Sequence, residues 1–100
     1  MKNEFKEPFN VVYVNCHKAA NQLGFKIFKE DIVDGVIKFT VKNSIWSFGE
    51  NFKVLISKVE NSTFVEVSSE GNVGLQIYDW GKNKKNIEQF FEAINEQLGK

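Results

Sequence analysis

Four segments in which apolar and polar residues alternate, separated by short turn sequences, constrain the fold of this chain most strongly. The strands that they predict cover residues 25–29, 36–42, 52–59 and 63–69. Asp34-Gly35 and Glu60-Asn61 are turn sequences between successive segments. Parallel neighbours would need crossover connections of about a dozen residues or more. The pattern therefore predicts an antiparallel meander, to which residues 75–78 add a short fifth strand.

Apolar residues at helical spacing flank this meander on both sides. Asn10 is the expected N-cap of the first helix, and Gly24 is expected to end that helix. The two apolar stripes consist of Val12, Cys16, Ala19, Ala20 and Leu23, and of Ile87, Phe90, Phe91, Ile94 and Leu98. One face of the sheet offers the surface that both stripes need. The predicted fold class is α+β, a single domain of residues 1–100 in the order α-β-β-β-β-(β)-α. Two helices cover one face of an antiparallel four- to five-stranded meander, and residues 1–9 are treated as a flexible N-terminal segment.

Steps of two along each strand assign the residues to the two faces of the sheet. The face toward the helices is expected to carry Phe25, Ile27, Ile37, Phe39, Val41, Phe52, Val54, Ile56, Val65 and Val67. The open face carries Lys26, Lys38, Lys53, Thr40 and Glu66 together with Phe28, Leu55 and Phe64. Aromatic residues among lysines would suit single-stranded nucleic acid, but no RNA-recognition consensus is present. The preferred interpretation of that face is either a homodimer or protein interface through Phe28, Leu55 and Phe64, or apolar residues scattered over the surface in the ordinary way.

The charge composition argues against proteins that bind nucleic acid or membranes through their net charge. Thirteen basic residues, all lysines, balance thirteen acids, so the net charge is zero and exerts no long-range attraction on nucleic acid or membrane. Without arginine the chain lacks the best bidentate reader of phosphate and guanine. No apolar run approaches the roughly 20 residues of a membrane span, and no signal peptide is evident. One cysteine, Cys16, excludes an intramolecular disulfide, and the cytoplasm is the expected location.

The last helix carries its charges in an unfavourable order. Lysines stand at its start, where a helix prefers anions, and Glu88, Glu92 and Glu96 follow toward the end that prefers cations. Free amides at a helix N-terminus, together with Lys82, Lys84 and Lys85, predict a site for a small anionic ligand. The alternative is a structural corner, in which Asp79 and Asn83 cap the helix and Trp80 packs against the core. The candidate ligand-binding residues are Trp46, Glu50, Asp79, Trp80, Lys82, Asn83, Lys84 and Lys85.

A long connection between the second and third predicted strands supplies two of these candidates. Residues 43–51 contain two aromatic side chains, a glycine and an acid where a short turn would suffice, and long loops are often binding loops. We expect Trp46 and Trp80 to wall a pocket in which Glu50 and Asp79 contact the polar part of the ligand. The structural alternative is that the aromatic residues cover the core edge and that Gly49 forms a β-bulge or adopts a positive φ.

Two motifs carry a resemblance. The Ser-x-Gly-Glu sequence that ends at Glu50 and the Asp-Trp-Gly-Lys-Asn sequence from Asp79 resemble a group of small uncharacterised bacterial proteins. The second motif is also distantly similar to a broader family of unknown function with an Asp-x-Gly-x-Asn signature before a C-terminal helix. That family tends to have arginines near the motif, where this chain has Ser69, Glu70 and Asn86. The resemblance supports the fold and implies no activity.

Catalytic and metal sites find little support in the sequence. Cys16 lies on an apolar stripe and is expected in the core, which directs the adjacent His17 toward solvent. One cysteine and one histidine provide no metal-ligand spacing, and no cofactor motif is present. A hydrolase would need Glu50 and Asp79 to converge on one substrate. The sequence therefore favours a small binding module with an anion or small-ligand site at the start of the last helix, and an interaction or dimerisation domain is the alternative.

Overall fold

The structure is a computed structural model that describes residues 1–41, 49–70 and 80–100, with side chains of the last helix described from Lys84 onward. The elements are β1 (Lys2–Phe5), α1 (Phe9–Gln22), β2 (Lys26–Asp31), β3 (Val36–Val41), β4 (Glu50–Val59), β5 (Ser62–Ser69) and α2 (Trp80–Gln97). The sheet order is β1-β5-β4-β3-β2, with every neighbouring pair antiparallel. The predicted α+β fold is confirmed. Residues 75–78 lie outside the described residues.

The N-terminal segment forms an edge strand, where the sequence pattern suggested flexibility. Asn3 pairs with Val65, and the N-terminal amine of Met1 donates a hydrogen bond of 3.0 Å to the Val67 carbonyl. Phe5 anchors the strand because its ring is buried in the core. A single apolar residue in a polar run shows no periodicity, so only the pairing with β5 identifies this strand.

Helix α1 begins one residue before the predicted cap. Pro8 occupies the N-cap with φ −64° and ψ 157°, and its carbonyl accepts the first helical hydrogen bond from Val12, 3.0 Å away. The prediction that Asn10 caps the helix is therefore wrong. Proline suits this position because its fixed φ is compatible with the turn into the helix.

The C-terminus of α1 is the one that the sequence predicts. Gly24 has φ +77°, a conformation that favours glycine. The amide of Phe25 then bonds to the carbonyl of Ala20 at 2.9 Å, which is the long hydrogen bond of a Schellman motif. Helix α2 ends in the same way at Gly99, with φ +80°.

The core lies between the two helices and one face of the sheet. Phe39 is at its centre: its ring stacks on Phe25 at 4.9 Å and on Phe52 at 5.6 Å, and it meets Phe90 of α2 at 5.2 Å. All the residues predicted to face the helices are buried, apart from Ile27, which is half-buried against the cluster. Burial of one such side chain contributes roughly 1.5–3 kcal/mol, so this cluster fixes the position of α2.

The contacts of α2 establish its direction over the sheet. At its C-terminal end, Lys100 Nζ lies 5.5 Å from the ring of Phe5, which pairs with the second residue of β5. Ten residues earlier Phe90 packs on Phe39, which lies two residues before the partner of Glu50. The N-terminal turns of α2 therefore point toward the end of the sheet where Glu50 begins β4. Within the described ranges, no helix has both the length and the apolarity of a membrane span.

Candidate functional site

The start of α2 differs from the predicted corner. Because the helix begins at Trp80, Asn83 is its fourth residue and not its N-cap. The first four amides of a helix lack helical acceptors, so the free N–H groups belong to residues 80–83. Asp79 lies outside the described residues, as do the side chains of Trp80, Lys82 and Asn83. The predicted lysines Lys84 and Lys85 follow on the helix, and both side chains are exposed.

Asn86 is the unusual residue of this helix. It lies one turn before Phe90, on the side that faces the interior, and only 9% of its surface is exposed. Its Nδ2 is buried and has no hydrogen-bond partner among the described residues. A buried amide donor without an acceptor destabilises the fold by about 1–3 kcal/mol. An unpaired buried donor needs a physical explanation, and a bound ligand that accepts its hydrogen bond is one such explanation. In the sequence, Asn86 is recognisable as a polar residue four positions before Phe90, at the spacing of the apolar stripe.

Glu50 lies at the end of the sheet toward which α2 points. It is the first residue of β4, is half-buried and pairs with Val41. The preceding Gly49 has φ +86°, which confirms the positive φ expected there. A Cβ at Gly49 would meet Thr40 Cγ2 at 2.9 Å, so a larger residue in this turn would be strained and would displace Thr40. Trp46 lies outside the described residues, and with it the predicted pocket between the two tryptophans and the Glu50–Asp79 pair.

A second cluster of polar side chains joins α1 to β2, and sequence reasoning missed it. His17 Nε2 contacts a carboxylate oxygen of Glu30, and His17 Nδ1 lies 3.1 Å from Nδ2 of Asn21. Because the Asn21 amide donates to Nδ1, the proton of a neutral His17 is on Nε2 and is donated to Glu30. His17 is thus paired with Glu30 and Asn21, and 36% of its side chain is exposed, in line with the expectation that it faces solvent. Both ring nitrogens of His17 are therefore engaged, one by Glu30 and the other by Asn21.

The titratable groups beneath this cluster are buried in α1. Burial raises the pKa of the Tyr13 hydroxyl, and the carboxylates of Glu30 and Asp31 add to that effect. Burial alone raises the pKa of the Cys16 thiol, which confirms the predicted core position. A thiol held protonated in this way is inert as a nucleophile. No group of three or more potential metal-ligating side chains occurs within the described part of the chain.

A β-bulge in the edge strand β2 places Glu30 against α1. Ile27 pairs with Phe39 and Lys29 pairs with Lys38, which leaves Phe28 as an extra residue between them. Beyond the bulge the alternation is shifted by one residue, so that Glu30 shares the helix-facing side with Ile27. A cavity of about 290 Å³ opens here and is lined by residues 27–30.

The open face carries the apolar residues that the sequence assigned to it. Phe28 is 55% exposed and Leu55 is 37% exposed. Phe64 is half-buried, and Lys2 Nζ lies 5.0 Å from the centre of its ring. The lysine therefore shields part of the predicted apolar patch.

Comparisons with known proteins identify the fold and not the family. No protein-family model matches the sequence, and no curated protein matches it. A similar solved chain comes from the crystal structure of the adenylate sensor from AMP-activated protein kinase in complex with 5-aminoimidazole-4-carboxamide 1-beta-D-ribofuranotide. It is 9% identical, with a TM-score of 0.74, over 92% of this chain and 93% of that chain. At this identity the likeness shows the fold alone.

Proposed function

We propose that this protein is a small binding module that holds an anionic ligand at the N-terminus of α2. The observation that carries the proposal is the buried Nδ2 of Asn86, which has no acceptor among the described residues. Nδ2 can only donate hydrogen bonds, so a ligand that satisfies it must present an acceptor. A phosphate, a sulfate or a carboxylate meets this requirement.

The surroundings of Asn86 favour a negative charge on that acceptor. The amides of residues 80–83 have no acceptors within the helix and carry the positive end of the helix dipole. Lys84 and Lys85 are exposed and form no salt bridge within the described ranges, so their charges are available to a ligand. No acid lies within the first turn of α2, so the helix itself adds no negative charge at this end.

The remaining candidates complete the proposed site. Lys82 adds a third cation, and Asn83 donates from the first turn. Trp46 and Trp80 wall the ligand, while Glu50 and Asp79 accept hydrogen bonds from its polar part. Glu50 is at the end of the sheet toward which α2 points, which supports its part in this assignment.

Thermal unfolding with phosphate, sulfate or acetate at constant ionic strength tests the proposal. A ligand at 100 times its Kd stabilises the native state by about 2.7 kcal/mol, which raises Tm by roughly 10 °C or more for a domain of this size. We expect the variants Lys84→Gln/Lys85→Gln and Asn86→Leu to lose this shift. The matched control is Lys18→Gln/Lys58→Gln, which removes two exposed lysines elsewhere and should retain it.

Two outcomes would contradict the proposal. One is the absence of any anion-specific shift in the unmodified protein. The other is an equal shift in all three variants. Asn86→Leu also reports on the folded state by itself, because replacing an unpaired buried amide with an apolar side chain should keep or raise Tm without ligand.

Dimerisation through the open face is a second candidate function, favoured by the exposure of Phe28 and Leu55. Exposed apolar side chains on an otherwise polar sheet face are typical of interaction sites. Sedimentation equilibrium over a concentration series tests it, with Leu55→Lys as the variant. A dimer that dissociates in this variant would support the idea, and a monomer at every concentration would reject it.

A further inference from the structure

Three lysines form a continuous row across the open face of the sheet. Lys38 on β3 is directly opposite Lys29 on β2 and directly opposite Lys53 on β4. The row spans two strand spacings, or about 10 Å. Lys26 lies on the same face, opposite Thr40. Strict alternation along β2 would turn Lys29 toward the helices, and the bulge at Phe28 brings it into this row.

This arrangement is unfavourable for the free protein. Like charges directly opposite one another on neighbouring strands repel. The sole carboxylate bound to the row is that of Glu70, 3.3 Å from Lys38 Nζ, among the salt bridges of the described residues. Lys38 has a side chain only 25% exposed, which limits the screening of its charge by solvent. Although the chain has no net charge, positive charge is therefore concentrated along this row on the open face of the sheet.

An exposed aromatic side chain, that of Phe28, adjoins one end of the row beside an open and mostly polar cavity. The cavity at the bulge is lined by Ile27, Phe28, Lys29 and Glu30, so Lys29 belongs both to the cavity and to the row. Phe28 is more than half exposed, and it has no partner residue in the pairing of β2 with β3. Lysines beside an exposed aromatic ring combine charge recognition with a stacking surface.

From this juxtaposition we infer that the Lys29–Lys38–Lys53 row and the bulge cavity bind a small organic phosphate. The phosphates, carrying two or more negative charges, bridge neighbouring lysines along the row. An aromatic or apolar group of the same molecule packs on the exposed ring of Phe28. The lysine row is on the face of the sheet opposite to the helices, so this site is separate from the anion site proposed at α2.

Isothermal titration calorimetry in low-salt buffer tests this inference with three probes: ADP, inorganic diphosphate and adenosine. ADP carries both features and should bind most tightly, diphosphate more weakly, and adenosine most weakly. We expect Lys38→Gln and Lys53→Gln each to weaken ADP and diphosphate by about tenfold, which is the value of one charged hydrogen bond. Phe28→Ala should weaken ADP toward the affinity of diphosphate and leave diphosphate unchanged.

Two control variants show whether ADP binds at the lysine row or at lysines elsewhere on the protein. Lys58→Gln removes an exposed lysine at the hairpin end of β4, and Lys18→Gln removes an exposed lysine on α1; both should bind ADP as the unmodified protein does. Lys53→Gln should unfold at the same or a higher temperature without ligand, because it relieves repulsion, so its loss of binding cannot be attributed to unfolding.

Three results would overturn the inference. The first is no binding of ADP at millimolar concentration, and the second is binding that Lys38→Gln and Lys53→Gln leave unchanged. The third is a single-stranded oligonucleotide that binds more tightly than ADP and loses affinity in the same lysine variants, since the row would then serve a nucleic-acid backbone.

Discussion

Glu30 accepts a hydrogen bond from Nε2 of His17, although strict alternation along β2 would point its carboxylate away from α1. The contact exists because Phe28 is an extra residue in the strand. The same shift moves Lys29 to the open face, opposite Lys38. One inserted residue thereby creates two polar features, the His17–Glu30 pair on one face of the sheet and the lysine row on the other.

Deletion of Phe28 should leave the fold intact. Ile27 would still pair with Phe39, and Lys29 with Lys38, so every side chain beyond the deletion keeps its face. We expect cooperative thermal unfolding, a native circular dichroism spectrum and a Tm within a few degrees of the unmodified protein. The control is deletion of Lys38, a paired residue, which turns one half of β3 inside out and should abolish cooperative unfolding. If both deletions were equally disruptive, the bulge would be a requirement of folding.

Strands β2 to β5 were predictable because their signals are local. Alternation over six to ten residues and the Asp34-Gly35 and Glu60-Asn61 turns identify β2 to β5 without knowledge of the rest of the chain. Strand β1 was not predictable, since its only support is pairing with β5, sixty residues away along the chain. The bulge has no glycine or other local signature, so the faces of the sheet on which Glu30 and Lys29 lie could not be predicted from the sequence.

The candidate site was predictable in part. The lysines at the start of α2 were evident from charge order, but the helix begins at Trp80, earlier than the Asn83 cap implied. The residue at which a helix begins depends on the contacts of the preceding chain, and helix propensity alone predicts it poorly. Asn86 was visible as a polar residue on an apolar stripe, yet burial and the missing acceptor are properties of the packed structure.

Gly35 should be far less tolerant of substitution than Gly24. Both have positive φ, +69° and +77° respectively, so alanine introduces backbone strain of about 1–2 kcal/mol at either position. A Cβ at Gly35 would also collide with the backbone carbonyl oxygen of Ile56, whereas nothing lies within 4 Å of one at Gly24. Urea denaturation should show a loss of about 3 kcal/mol or more for Gly35→Ala and about 1 kcal/mol for Gly24→Ala. Equal losses would mean that strain alone governs both sites.

Replacing Glu60 with a residue that tolerates a positive φ should stabilise the folded protein. Glu60 occupies the two-residue turn between β4 and β5 with φ +53°, the one positive φ of a non-glycine residue in the described ranges. Asparagine adopts this conformation more readily than glutamate, so Glu60→Asn should raise the free energy of unfolding by about 0.5–1 kcal/mol. Glu60→Gln removes the charge without easing the backbone and should leave stability unchanged. Equal gains in the two variants would identify charge as the cause.

Cys16 should make the protein less stable as the solution becomes alkaline. Its thiol is fully buried in α1, and burial raises its pKa in the folded state. In the unfolded chain it ionises at its ordinary pKa of about 8.5. Above that pH the unfolded state binds fewer protons than the folded state, so the free energy of unfolding falls as pH rises. The stabilisation is fully present below the unfolded pKa, and one such group changes it by up to about 1.4 kcal/mol per pH unit above it.

Urea denaturation between pH 7 and pH 9.5 measures this effect. Cys16→Ala should lose about 1–2 kcal/mol at pH 7, because it leaves a small cavity, but its stability should decline less steeply above pH 8.5. Tyr13→Phe is the matched variant on the same helix. Burial raises the pKa of Tyr13 from a higher starting value of about 10, so its contribution begins outside this pH range and the variant should keep the decline. An identical decline in Cys16→Ala and the unmodified protein would show that groups other than the buried thiol cause it.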